Sequence, residues 1–287
     1  MDNWLTNQAK MMVLVWEQAI GKFYPECLSE WTDPDEHVRA LTHKWNYMDA
    51  ARELRWHDWL SASDAEVLDL GAGTGWLSAM LSRYEQVGRI YALDASAASL
   101  TIMLPAVCDA LGGRAYKITP IVGLFTPILM QDDSLDLVVA SSSVHHTSNL
   151  VECFREVNRV LKAGGFFIIL NETPITTLQY CLKTLYGCMK IVAAMCLRQW
   201  RPLSSAFSAS EILVDPYLGD RAYCRWQYEA ALKNAGFCAV SHEVSKFYPY
   251  KVSGDRRNRY RLATFIARKP MSRASTDVLP VPCTTGE

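Results

Sequence analysis

The run Asp69-Leu70-Gly71-Ala72-Gly73-Thr74-Gly75 holds the residues whose types and spacing point most directly to chemistry. Glycines at alternate positions let the main chain bend sharply and approach a ligand with no Cβ in the way. A helix starting just after them turns unpaired N–H groups toward a negative or polar ligand. Nineteen residues past Gly75 stands Asp94, whose carboxylate can accept hydrogen bonds from ribose hydroxyls. A second polar group follows in Ser141-Ser142-Ser143-Val144-His145-His146 and in Asn171-Glu172. Imidazole titrates near neutrality, so His145 and His146 are candidate general bases, with shaping of their loop as the other reading. Glu172 is a third catalytic candidate, a carboxylate able to orient a hydroxyl or an amine; a solvated or helix-capping acid is its alternative.

Such residues need strands and helices to bring them together. Residues 66–70 form a short apolar run that ends at the glycines, as a buried parallel strand does. The pattern then predicts a helix over 76–84, a strand over 89–94 and a helix over 96–111 stopped by Gly112-Gly113. Strands over 115–118 and 135–140, a helix over 149–161 and a strand over 166–170 follow. A helix over 223–234 and strands over 238–244 and 260–267 complete the series. This alternation predicts an α/β fold, a parallel sheet with helices on both faces.

Upstream, residues 1–60 read as a helical cap with no strand, rich in rings such as Trp45, Tyr47, Trp56 and Trp59. Asp33-Pro34-Asp35-Glu36 is a helix start, with a cap residue, a proline in the first turn and acids at the positive end. Residues 61–268 are the expected main domain. Within it, 174–222 form a mostly helical insertion carrying Tyr180, Leu185, Tyr186, Met189, Met195 and Trp200. Residues 269–287, with three prolines and no periodicity, are expected to be a disordered tail.

Strand, glycine turn and helix also occur in nicotinamide and flavin enzymes, but their fingerprint is G-x-G-x-x-G. Here position 76 is Trp, and an acid stands two residues before the first glycine. That pattern resembles the class I S-adenosylmethionine-dependent methyltransferases, whose first motif is an acid followed by alternating glycines. The resemblance extends over 62–172 and more loosely to 268. It includes Leu93-Asp94-Ala95-Ser96, Asp132-Asp133-Ser134-Leu135-Asp136-Leu137-Val138 and Leu161-Lys162-Ala163-Gly164-Gly165. It implies a Rossmann-like sheet of seven strands, mostly parallel with the last antiparallel, and S-adenosyl-L-methionine as the cofactor.

Carried over residue by residue, the resemblance gives Asp69, Gly71 and Gly73, with Ala72 and Gly75 between and beyond them, as the lining of the methionine end. Asp94 would hold the ribose hydroxyls, with Ala95 beside the adenine and Ser141 at the end of the fourth strand. Relatives usually carry an acid for the adenine amino group near the third strand's end, where this chain has Leu124. Backbone groups and apolar packing must then read the base. Tyr47 is the cap residue expected to touch cofactor or acceptor, in a lid that excludes water.

Composition narrows the partners. Twenty-nine basic residues against 30 acidic leave a net charge of −1, without the cationic excess that non-specific nucleic-acid binding needs. Arg256, Arg257, Arg259 and Arg261 make a local basic cluster, read as a solvated loop. Nine cysteines include no C-x-x-C pair, so reduced thiols and no metal ligand set are expected. No secretory signal or uncharged stretch of spanning length is visible, which predicts a cytoplasmic protein with peripheral membrane contact still open. The expected activity is methyl transfer to a small organic acceptor, at oxygen before nitrogen or carbon, in a secondary-metabolism setting. A homodimer is compatible with the Met-rich insertion. A non-catalytic, protein-binding subunit of the same fold is the second reading.

Overall fold

A two-residue strand, β1 (Asp2–Asn3), opens the chain in the computed structural model, which describes residues 1–23, 28–60, 63–196, 213, 219–247 and 261–271. Helices α1 (Asn7–Phe23), α2 (Leu28–Thr32), α3 (Pro34–Arg39) and α4 (Tyr47–Arg52) make the cap. As the sequence predicts, Asp33 caps α3: its carboxylate accepts from the N–H groups of Asp35 and Glu36 at 2.9 and 3.1 Å.

The alternating series follows as β2 (Ala65–Leu70), α5 (Trp76–Ser82), β3 (Val87–Asp94), α6 (Leu104–Ala110), β4 (Ile118–Val122), β5 (Leu135–Ser141), α7 (Leu150–Val160) and β6 (Leu161–Glu172). The long helix α8 (Thr177–Cys196) belongs to the insertion, and α9 (Arg225–Asn234), β7 (Cys238–Val244) and β8 (Ala263–Arg268) end the described chain. Strand order is β1-β4-β3-β2-β5-β6-β8-β7. β8 runs antiparallel to both neighbours, and the other pairings are parallel.

Two details depart from expectation. The sheet has eight strands, because Asp2 and Asn3 pair with Ile121 and Val122 inside the segment read as strand-free. A two-residue pairing is too short to leave an alternation signal. The third core strand lies at Ile118–Val122, and residues 115–117 form a 3-10 turn instead. The strand carries Pro120, which donates nothing to a ladder. It is accommodated because β4 has only β1 on its outer side.

Hydrophobic cores lie on both faces of the sheet. One joins β2 and β3 to α5, α6 and the cap residues Leu41, Met48, Trp56 and Leu60. Trp56 is fully buried with its indole N–H donated to the Ala51 carbonyl at 2.8 Å, so this ring is cap core and no part of a lid surface. Each such buried side chain stabilises the fold by about 1.5–3 kcal/mol. The other core packs α7 and α9 against β5, β6 and β8. Trp200, Arg256, Arg257, Arg259 and residues 272–287 lie outside the described residues. No helix among the described residues is long and apolar enough to cross a membrane.

Candidate active site

Strands β2, β5 and β6 stand side by side, so their carboxyl ends bring the glycine run, the serine–histidine run and Glu172 to one edge of the sheet. The glycine run turns between β2 and α5 with Gly71 and Gly73 at φ of +75° and +53°. A Cβ on Gly71 would lie 2.5 Å from the Ser143 Cβ, so this glycine is required by packing. A Cβ on Gly73 would meet nothing within 4 Å. Bare main chain there borders open space, as a ligand cradle does.

Asp94 ends β3 and holds that turn. Its carboxylate accepts the Gly73 N–H and the Ser96 N–H, each at 2.8 Å. Burial pushes its pKa up, and these N–H groups oppose the shift. Asp69 behaves differently from a crevice residue. It is 1% exposed and accepts from the N–H and hydroxyl of Ser78 at 3.1 and 2.7 Å, clasping β2 to α5. Desolvation, against those bonds, pushes its pKa up to about 7.

The cap grips the same turn. His37 accepts the Thr74 hydroxyl through Nε2 at 2.6 Å while its Nδ1 meets the Glu30 carbonyl at 2.6 Å. Burial lowers the His37 pKa, which suits a neutral ring that donates on one side and accepts on the other. Tyr47 reaches the other wall, with its hydroxyl 2.9 Å from the Ser142 Oγ. At the adenine end of the expected cofactor path, Leu124 is 42% exposed. Glu17 of α1 accepts the Ser96 hydroxyl there at 2.8 Å, close to Asp94 and Ala95. The sequence reading gave no role to His37 or Glu17; neither has a motif around it.

At the ends of β5 and β6, Ser142 and Asn171 both take positive φ, 48° and 60°. Asn171 donates to the Ser141 Oγ at 2.9 Å, and its own Oδ1 is buried with no hydrogen-bond partner. An orphaned acceptor costs stability unless something else satisfies it, which is how ligand-binding edges behave.

Glu172 is 2% exposed and acts as a hub, not as a solvated acid. Its carboxylate accepts from the Ser143 N–H at 3.2 Å, from His145 Nδ1 at 2.9 Å and from the Tyr228 hydroxyl at 2.9 Å. Burial would lower the His145 pKa, but the carboxylates of Glu172 and Asp220 outweigh it and bring the value up to about 9. The His146 ring centroid lies 4.4 Å from that of His145. Asp220 Oδ1 stands 3.0 Å from His146 Nδ1 and 3.7 Å from His145 Nε2. Its segment is tied down by the Arg221 N–H, donated to the His145 carbonyl at 3.0 Å. Asp220 and Tyr228 were missed by sequence reasoning, because one lies at the end of the insertion and the other beyond it, both far along the chain from the histidines.

The exposed face of α8 carries Leu178, Leu182, Leu185, Tyr186, Met189 and Met195.

Comparison with known proteins agrees with this geometry. Residues 68–169, from mid-β2 into β6, match the family described as Methyltransferase domain. A dimethylglycine N-methyltransferase of Parasynechococcus marenigrum is 28% identical over 159 residues, covering 54% of this chain and 55% of the relative. A malonyl-[acyl-carrier protein] O-methyltransferase of Coxiella burnetii is 28% identical over 127 residues, covering 44% and 40%. The chain thus spans about half the length, or less, of these curated relatives. In three dimensions a candidate methyltransferase from Bacillus halodurans superposes with a TM-score of 0.53 at 17% identity, covering 78% of this chain and 100% of that one.

Proposed function

We propose that this chain, whose domain belongs to the class I S-adenosylmethionine-dependent methyltransferases, transfers a methyl group to a small organic acceptor, with oxygen as the favoured acceptor atom. One observation carries the reading: the Gly73 main chain, pinned by Asp94, borders open space at the same sheet edge that presents His145, His146 and Glu172. Relatives that methylate nitrogen and oxygen share the cofactor half of the fold, so acceptor choice resides in the remaining residues.

In this reading Gly71, Ala72, Gly73 and Gly75 line the methionine end, Asp94 holds the ribose hydroxyls, and Ala95 and Leu124 flank the adenine. Ser141 and Tyr47 border the reacting end. The cofactor, when bound, supplies a methyl group on a sulfonium that leaves as a neutral thioether. The protein's own share is alignment and the exclusion of water. The cap, fastened through His37, closes one side. The acceptor hydroxyl lies against the imidazole pair, whose first ring is held in one orientation by Glu172.

Calorimetry with S-adenosylhomocysteine tests the cofactor half: one site at micromolar affinity is expected, and no heat at about 1 mM ends the reading. Transfer of labelled methyl to a panel of hydroxyl, amine and carbon acids then identifies the acceptor atom. The free thiols among the described residues suit a reducing compartment, and we assign the protein to the cytoplasm on that basis.

A second reading, a protein-binding subunit without catalysis, is favoured by the apolar exposed face of α8. It requires a purified chain that binds no nucleoside and elutes as part of a stable complex or homodimer.

A further inference from the structure

We propose that His145, His146 and Asp220 bind one divalent first-row transition-metal ion at the acceptor end of the site, where it holds an acceptor oxygen. Each residue offers one ligand atom, and the three atoms lie within 4.8 Å of one another. Their types, two imidazole nitrogens and a carboxylate oxygen, form a borderline donor set suited to zinc, iron(II), cobalt(II) or manganese.

Three features distinguish this group from an ordinary surface ion pair. First, His145 is already oriented as a ligand. Its Nδ1 donates to the buried Glu172 carboxylate, so its Nε2 is turned toward Asp220, where it can ligate a metal that displaces its proton. A carboxylate fixing the far nitrogen of an imidazole is the usual outer support of a metal-bound histidine. Tyr228 and the Ser143 N–H in turn fix that carboxylate.

Second, the buried Asp220 Oδ1 faces two imidazole nitrogens at 3.0 and 3.7 Å. Two ligand atoms on one ion, each bonded at about 2.0–2.2 Å, stand roughly 3–4 Å apart, which is the spacing seen. A cation between them would take the place of the imidazole protons that now face this oxygen. Third, two carboxylates enclose two imidazoles, so a divalent cation entering in exchange for imidazole protons meets compensating negative charge.

Three protein ligands leave coordination positions open, as catalytic metal sites do and structural ones do not. An acceptor hydroxyl or carbonyl oxygen bound there would be both positioned and made more acidic. Only this role for the ion rests on the methyltransferase reading; the binding site itself does not. Sequence inspection could not find the set, since Asp220 stands 74 residues after His146.

The test uses the full chain, stripped with chelator and with its exposed thiols alkylated so that cysteine does not compete. Cobalt(II) is titrated while visible absorption is followed, and zinc is titrated by calorimetry. One equivalent bound with a Kd of about 10 μM or tighter and a cobalt spectrum free of sulfur charge transfer are expected. Asp220→Asn and His146→Gln should each weaken binding at least tenfold, with thermal melting as the control for folding. No saturation by either metal at about 1 mM, or affinity unchanged in both variants, overturns the site and leaves a metal-free ion-pair cluster. S-adenosylhomocysteine binding, measured on the same stripped protein, fails or succeeds separately and reports on the cofactor reading alone.

Discussion

The Oγ1 of Thr74 and the Nε2 of His37 stand 2.6 Å apart, and through this bond the helical cap grips the glycine turn. The ring's other nitrogen meets the Glu30 carbonyl, so His37 spans from the cap's second helix to the ligand-facing loop. Cap position and loop shape are therefore coupled.

His37→Ala and Thr74→Val are each expected to lower stability by about 1–3 kcal/mol, since each strands a buried polar partner. The double variant should cost less than the sum, which a denaturant double-mutant cycle measures. Because burial depresses the His37 pKa below 6.5, its contribution is complete above that value and declines as pH falls through the folded pKa. A wild-type acid slope unaltered by His37→Gln would remove His37 as its source.

Asp69 works in the opposite direction. Its pKa is raised from 3.8 to about 7, so the folded state holds a proton that the unfolded chain has released across that window. Stability from this group is full below the unfolded value and is lost as pH rises toward 7, levelling off above it. Asp69→Asn should flatten that part of the profile while keeping the clasp to Ser78. Urea midpoints between pH 4 and 8, compared with wild type, check the sign.

Asp94→Ala removes both the expected ribose acceptor and the pin on Gly73. S-adenosylhomocysteine affinity should fall by about 1–3 kcal/mol, read by calorimetry. Wild-type affinity in this variant would mean that another carboxylate holds the nucleoside.

The first two glycines of the turn separate packing from ligand contact. Gly71→Ala drives a methyl into Ser143 and should destabilise the fold, seen as a lowered Tm. Gly73→Ala meets no protein atom, so beyond about 1 kcal/mol of left-handed backbone strain its effect should fall on nucleoside affinity. Equal losses of Tm with unchanged affinity in both would argue against a ligand at Gly73.

Much of the scaffold was legible in the chain because it is written locally. Apolar runs ending at glycine mark β2, alternating periods mark the βα units, and an acid at the end of β3 marks Asp94. The strand expected over 115–118 lies three residues further on as β4, with a 3-10 turn over 115–117. Asp2 and Asn3 joined the sheet without any local signature. Side-chain roles were less accessible. Asp69 read as a lining residue, yet burial against Ser78 makes it a clasp. Glu172 read as a carboxylate of open role, yet Tyr228, Ser143 and His145 converge on it to make it a fixed acceptor.

The sequence by itself determined where the main chain can bend and which runs pair into a parallel sheet, because these follow from residue type and spacing over a few positions. Only the tertiary structure decided that His37 fastens the cap to the turn and that Asp220 faces the histidine pair. Those contacts join segments dozens of residues apart, and their geometry is set by how whole elements pack, which no local pattern encodes.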